Sequence, residues 1–517
     1  MYRFGILLRV ALCAFAASPM AAEPEGRGEA THVVLVAWDG MRPDFVSPEN
    51  TPALWQLAQR GVTFRNHHSV YPSLTSVNAT ALATGVYPGR SGVLGNYEYR
   101  PAIDLAKLVR MDEETTIREG DRTSDGRYLG AATIAEIVQT HGGSAALAGT
   151  KTASLLHGRH PAKDSGSVTL FDGATLPPTA LAQMVKLLGP FPREKEAPNA
   201  MKDAWTTRAL TEVLWKDEIP EFSLLWMSDP DRAQHASAPG SPEAIAGIRS
   251  ADTNFAVVLH ALEEKKALAQ TDVLVVSDHG FSTIARGFDI PAQLRAAGFT
   301  VAEGADPLRR GDIRFAGNGG SAFFYVGEHD DKTAGRLVTW LQQTDFAGVI
   351  FSRAGDAGTF PLAQFHLDAP SAPDVVVAMR WTESENEFAI RGLIAATTGK
   401  EVAAGTHGTL SRFDIHNTLI AAGPDFQVGG ASDLPSSNLD VVPTILHLLG
   451  LAPPQPLDGR VLSESLQRPG DPPLAAIVQV KEKTRQLEHG KWRQYVRTSA
   501  VGDSVYADEG NGEFTPE

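Results

Sequence analysis

Residues 271–280 read TDVLVVSDHG, an apolar run closed by an aspartate, a histidine and a glycine. A short valine-rich run without helical spacing predicts a strand buried on both faces, with a polar loop at its carboxyl end. The same design stands at 31–40, THVVLVAWDG, and at 222–231, FSLLWMSDPD. Between 222–231 and 271–280, residues 241–265, SPEAIAGIRSADTNFAVVLHALEEK, have the periodicity of a long crossover helix. Three apolar strands thus end in aspartate. Strands alternating with helices predict an α/β fold, its central sheet largely parallel with helices on both faces. Such sheets carry their sites at the strands' carboxyl ends.

Working outward, TPALWQLAQRG (51–61) predicts a helix stopped by glycine, and VTF (62–64) and GSAALAGT (143–150) predict strands. These read as the first part of the core, 31–287. From 288 to 401 the pattern is less regular, with strand-like SAFFYVG (321–327) and DVVVAM (374–379) around a helix, GRLVTWLQQ (335–343). That region reads as an inserted subdomain or lid. The core resumes over 402–482 with GTHGTLSRFDIHNTLIAAGPDF (405–426) and the helix LDVVPTILHLLG (439–450). A polar C-terminal tail, 483–517, is expected to add an edge hairpin.

The chain has 517 residues, enough for a large core, and a formal charge of −15, which argues against a nucleic-acid duplex or an anionic membrane surface as partner. Residues 1–22, with Arg3, Arg9 and the run VALCAFAA, read as a signal peptide cut near Ala21 or Ala22, so the protein is expected to be exported, periplasmic or secreted. The run is too short for a membrane anchor. Cys13, the only cysteine, falls inside it. The mature chain then has no disulfide and no thiolate ligand.

Five segments offer chemistry: Asp39; Tyr71–Asn96, with Thr75 before the small-residue helix VNATALATG; DPDRAQHASAP (229–239); SDHG (277–280); and GTHG (405–408). Asp231 and His235, four apart, reach one ion from a single helical turn. Adjacent Asp278 and His279 do so only if the loop kinks, which Gly280 permits. Asp229, before a proline, reads as a turn residue. Taken singly, each aspartate reads as readily as a helix cap, and Thr75 as an N-cap. Carboxylates and imidazoles without sulfur suit two zinc-like ions.

The order Asp39, Thr75, Asp231-x-x-x-His235, Asp278-His279, Gly-Thr-His407-Gly resembles the alkaline phosphatase superfamily. It is most similar to the nucleotide pyrophosphatase/phosphodiesterase branch, over Val33 to Leu462. The resemblance implies an alkaline phosphatase-like fold with one divalent ion, zinc, on Asp231, His235 and His407. A second ion would sit on Asp39, Asp278, His279 and the Thr75 oxygen. It implies Thr75 as nucleophile, a phosphothreonine intermediate, and Asn96 donating to a phosphoryl oxygen of a small phosphate ester. A neutral donor suits a diester. Lys151, in AGTKTASLL, matches instead the position where relatives acting on monoesters or phosphonates carry a phosphate-binding lysine. Those relatives have a second cation where this chain has Ala153. A phosphomonoesterase or phosphonate hydrolase is therefore the competing expectation, and a non-catalytic metal-stabilised binding protein the one from another class.

Overall fold

The computed structural model describes residues 28–397, 402–468 and 475–517. The segment read as a signal peptide, with Cys13, lies outside the described residues. The strands of the central sheet are β1 (His32–Trp38), β2 (Val62–Phe64), β3 (Ala145–Gly149), β4 (Val168–Phe171), β5 (Ala174–Leu176), β6 (Phe222–Met227), β7 (Thr271–Val276), β8 (Leu419–Ala422) and β9 (Gly430–Ser432). Their order across the sheet is β9-β2-β8-β7-β1-β6-β3-β4-β5. The five strands β7-β1-β6-β3-β4 run parallel, and β8 and β5 flank them antiparallel. The fold is the largely parallel α/β arrangement the strand pattern predicts.

Side chains alternate across a strand, so β1 serves two cores at once. Val33, Leu35 and Ala37 face one layer, with Ala79 and Leu82 of helix α2 (Thr75–Thr84) and Val442, Ile445 and Leu446 of helix α6 (Asn438–Leu449). Val34, Val36 and Trp38 face the other, with helix α1 (Pro52–Arg60) and helix α4 (Pro242–Glu264). Ile248, Ala251, Phe255, Val258 and Leu262 of α4 recur at helical spacing and are fully buried. Its start is fixed by Ser241, whose side chain accepts from Ala244 N–H at 3.1 Å, with proline at the first helical position. Each of these apolar α4 side chains other than Ala251 contributes about 1.5–3 kcal/mol of burial.

The inserted region carries its own sheet, in the order Ile313–Asn318, Ser321–Val326, Val375–Met379, Ala347–Ser352, Phe360–Pro361. Helix α5 (Asp331–Leu341) packs on it through Leu337, Val338 and Leu341. The expected division at 287/288 falls inside one strand, Ser282–Phe288. That strand pairs with Arg391–Thr397 on one side and Gly405–Thr406 on the other, so insert and core share a sheet. The polar tail is more than an edge hairpin. From Ile477 the chain forms a three-stranded antiparallel sheet, Ile477–Leu487, Gly490–Val501 and Ser504–Pro516. It docks on the insert through Gln494, whose carboxamide accepts from Ile350 N–H at 2.7 Å and donates to Ile350 O at 3.2 Å, and through buried Trp492. The sequence there looked polar because the first of these strands is solvent-exposed for most of its length. Among the described residues no helix is long and apolar enough to cross a membrane.

Candidate active site

Strands β6, β1 and β7 are neighbours, so the residues following them converge. Asp39 follows β1, Asp231 opens helix α3 (Asp231–Ala236) after β6, and Asp278 and His279 lie in the loop after β7. His407 arrives from the strand Gly405–Thr406, and Thr75 is the first residue of α2. Leu74 occupies the N-cap position, without a side-chain cap bond, so the Thr75 hydroxyl is not a cap.

Two sets of donor atoms result, Asp231–His235–His407 and Asp39–Asp278–His279, the atoms of each within 4.8 Å of one another. These are the two groupings the resemblance implied. The His279 and His407 rings stack between them, centroids 3.5 Å apart. The Thr75 hydroxyl oxygen lies 3.2 Å from His279 Nε2.

The polar groups around these side chains fix which atoms face inward. His235 Nδ1 pairs with Gly405 O at 3.0 Å, His279 Nδ1 with Gly280 O at 2.9 Å and His407 Nδ1 with Ser73 O at 2.7 Å. A carbonyl accepts only, so each Nδ1 carries the proton and each Nε2 presents a lone pair. The carboxylates are anchored likewise by one oxygen. Asp278 Oδ1 accepts from Gly40 N–H (3.0 Å) and His279 N–H (3.1 Å). Asp39 Oδ2 accepts from Trp226 Nε1–H (3.0 Å) and Lys151 Nζ (2.8 Å), and Asp231 Oδ2 from Lys151 Nζ at 2.5 Å.

The remaining oxygens, Asp39 Oδ1, Asp231 Oδ1 and Asp278 Oδ2, are buried without a well-formed hydrogen bond. They lie 3.6, 3.0 and 3.2 Å from the Nε2 of His279, His235 and His279 respectively. Lone pairs aimed at anionic oxygens at such distances repel unless a cation stands between them. A tetrahedral zinc with bonds of about 2.0–2.1 Å spaces its ligands roughly 3.4 Å apart, so the donor sets fit such an ion. Burial, then the neighbouring His279, holds His407 well below the usual imidazole range, and burial lowers His279, so both rings are neutral as a ligand must be. Burial pushes Asp278 up to about 7 and raises Asp39, the latter helped by Asp278. Burial works the same way on Asp231, but neighbouring positive charge, the Lys151 ammonium included, outweighs it and holds that carboxyl low.

Asn96 Oδ1 accepts the Ser76 N–H at 2.8 Å, an otherwise unpaired donor in the first turn of α2. The loop bearing it is clamped by buried Glu98, which accepts from Leu94 N–H and Gly95 N–H and pairs with Arg100. A cavity of about 230 Å³ opens beside it, lined by Asn96, Tyr97, His235, Asn318, Thr397 and His407. A larger one, about 540 Å³, lies away from these groups. Its Arg42, Arg412 and Arg497 are already paired with Asp44, Glu509 and Asp508.

The Lys151 ammonium stands on Asp39 and Asp231, one carboxylate of each donor set. Asp229, read as a turn residue, lies just before Pro230, the N-cap of α3, and its carboxylate accepts from Ala233 N–H and Asn199 N–H. Gly280 is needed for another reason than a kink. A Cβ there would lie 2.1 Å from Phe413 O and 2.5 Å from His416 O, so the backbone passes too closely for any side chain.

A family model for type I phosphodiesterase / nucleotide pyrophosphatase matches residues 33–381. The chain belongs to the type I phosphodiesterase / nucleotide pyrophosphatase family. Among curated relatives of this family, human ectonucleotide pyrophosphatase/phosphodiesterase family member 1 is 22% identical over 258 residues, 49% of this chain and 24% of the relative. A venom phosphodiesterase of Naja atra is 22% identical over 50% of this chain and 27% of its own. Human family member 7 is 23% identical over 54% of each. The match thus spans about a quarter to a half of these relatives. Among solved structures, murine ectonucleotide pyrophosphatase/phosphodiesterase 5, in an inactive threonine-to-alanine form in complex with AMP, superposes with a TM-score of 0.61. That alignment has 16% identity and covers 84% of this chain and all of that one. The shared fold places this chain in the alkaline phosphatase-like architecture of the family.

Several residues around the candidate site were invisible in the sequence. Trp226 on Asp39, Ser73 behind His407, and Asn318, whose carboxamide holds Tyr97 N–H (2.8 Å) and Tyr97 O (3.0 Å), all act across the fold. No local pattern marks them.

Proposed function

We propose that this family member is an exported two-zinc phosphodiesterase or nucleotide pyrophosphatase acting through a phosphothreonine on Thr75. The observation that carries the reading is the Thr75 hydroxyl, mounted on the N-terminus of α2, 3.2 Å from His279 Nε2 of one donor set and free of any capping role. Asp231, His235 and His407 would hold one ion, and Asp39, Asp278 and His279 the other, with the Thr75 oxygen facing it. When bound, two divalent cations lower the pKa of a hydroxyl and of a water and offset charge on the oxygens of an in-line displacement. Thr75 Oγ1 forms its bond to phosphorus as the bond to the leaving oxygen breaks. Water then cleaves the phosphothreonine and returns the hydroxyl. Asn96, its carbonyl end fixed by Ser76 N–H, turns its NH₂ toward a phosphoryl oxygen. Export is supported by the signal-like composition of residues 1–22, and the substrate is a small phosphate ester.

A diester is favoured over a monoester because the donor at Asn96 is neutral and Lys151 is engaged by two carboxylates. Rates on bis-p-nitrophenyl phosphate and p-nitrophenyl phosphate, measured side by side with the zinc-loaded protein, test this. Faster turnover of the monoester overturns the diesterase reading. Undiminished hydrolysis by Thr75→Ala removes the nucleophile.

A further inference from the structure

We infer that Lys151 is a built-in cation of the metal centre, a positioning residue that ties the two ligand groups together and holds them assembled before any ion arrives. The inference rests on the two-metal reading above. Its ammonium donates to Asp39 Oδ2 at 2.8 Å and to Asp231 Oδ2 at 2.5 Å, one carboxylate from each group. Both aspartates are buried, and the Lys151 side chain is 20% exposed. Tying down the Oδ2 atoms leaves Oδ1 of each residue as the oxygen turned toward its histidine partner, His279 for Asp39 and His235 for Asp231. Lys151 therefore sets which oxygen Asp231 offers and, together with Trp226 Nε1–H, which oxygen Asp39 offers. The backbone reinforces the same link, with Asp231 N–H donating to Asp39 O at 2.8 Å.

Without ions, three buried carboxylates crowd this region, and Lys151 is the cation that bridges two of them. Removing one partner of a buried ion pair leaves the other charge uncompensated, which is strongly destabilising. With two divalent cations in place that penalty shrinks, because the ions take over the compensation. Lys151 is thereby distinguished from a phosphate ligand, whose loss would leave the substrate-free protein unchanged.

The test compares wild type with Lys151→Met, which keeps the length of the side chain, and Lys151→Gln, which keeps one donor. Each is stripped of metal by chelator and then reloaded with zinc or cobalt(II). The metal-free melting temperature of both variants is expected to fall on the order of 5 °C below wild type, while the zinc-loaded forms differ by much less. The visible absorption of the cobalt-loaded variants is expected to change in shape or intensity, since the carboxylates no longer meet the ion at the same angle. A variant that folds only with zinc is the limiting case of the same result. Metal-free melting within about 1 °C of wild type for both variants overturns the inference and returns Lys151 to the substrate. Equal destabilisation with and without zinc, or an unaltered cobalt spectrum, overturns it too, leaving an ordinary structural residue. Wild-type protein that binds neither zinc nor cobalt sinks the two-metal reading itself, a distinct failure.

Discussion

Replacing Asn96 by aspartate separates the structural task of this side chain from its chemical one. Its Oδ1 accepts the Ser76 N–H at 2.8 Å, and a flipped amide would set donor against donor, so the NH₂ end must face away from α2. Aspartate is nearly isosteric and keeps the acceptor. A negative charge at a helix N-terminus is favourable by about 0.3–1 kcal/mol, so the variant should be as stable as wild type or slightly more so. Toward the substrate it loses a donor to a charged oxygen, about 1.5–3 kcal/mol. It also sets a carboxylate some 4 Å from phosphoryl charge, which at an effective dielectric near 20 adds about 4 kcal/mol. Together these lower kcat/KM on a diester by about 10⁴- to 10⁵-fold. Thermal melting and initial rates on bis-p-nitrophenyl phosphate measure the two effects on one preparation. A variant within tenfold of wild type, or one whose rate falls only in step with its stability, refutes the assignment of Asn96 to the phosphoryl group.

Other outcomes follow from neighbouring features. Burial, then the adjacent Asp425, pushes the Asp272 carboxyl up to about 9. The folded state therefore holds a proton that the unfolded chain releases near pH 4, and stability is lost as pH rises from about 4 to 9. Asp272→Asn should be more stable than wild type on the order of 3 kcal/mol at pH 7 and nearly equal at pH 4, by urea unfolding. A difference independent of pH contradicts this. Gly280→Ala forces its Cβ against two carbonyl oxygens. It should displace His279 and halve the zinc bound per chain, read by elemental analysis, with turnover down at least about a hundredfold. Chelator treatment of wild type should abolish hydrolysis and lower the melting temperature, and zinc should restore both. Activity that survives complete removal of metal contradicts the donor geometry.

Much of this was legible in one dimension because the fold class depends on local pattern. An apolar strand closed by aspartate is visible at 31–40, 222–231 and 271–280, and α4 is visible as a periodic run with a serine and proline at its start. What brings Asp39, Asp231 and Asp278 together is strand order, β6 beside β1 beside β7, and that is a property of non-local packing. Lys151 shows the limit most plainly. Its match to a phosphate-binding position in relatives speaks for substrate contact, and no local pattern shows that its ammonium also meets two carboxylates contributed from elsewhere in the chain. The C-terminal sheet goes beyond the expected edge hairpin by one strand, for a simpler reason. An exposed strand such as Ile477–Leu487 carries polar residues on both faces and offers no alternation to detect.

The stacking of His407 on His279 has a consequence for how the molecule is made. His407 is anchored to the carbonyl of Ser73, 334 residues away, and Thr75 meets His279 across 204 residues. Contacts so distant in sequence form only after most of the chain has collapsed. Until residue 407 has been synthesised and docked, one donor set lacks its last imidazole, and a half-made chain has no complete cradle for a second ion. Zinc uptake during refolding should therefore trail the recovery of compactness. The second equivalent of metal would act as a timer, marking the moment at which the fold is finished.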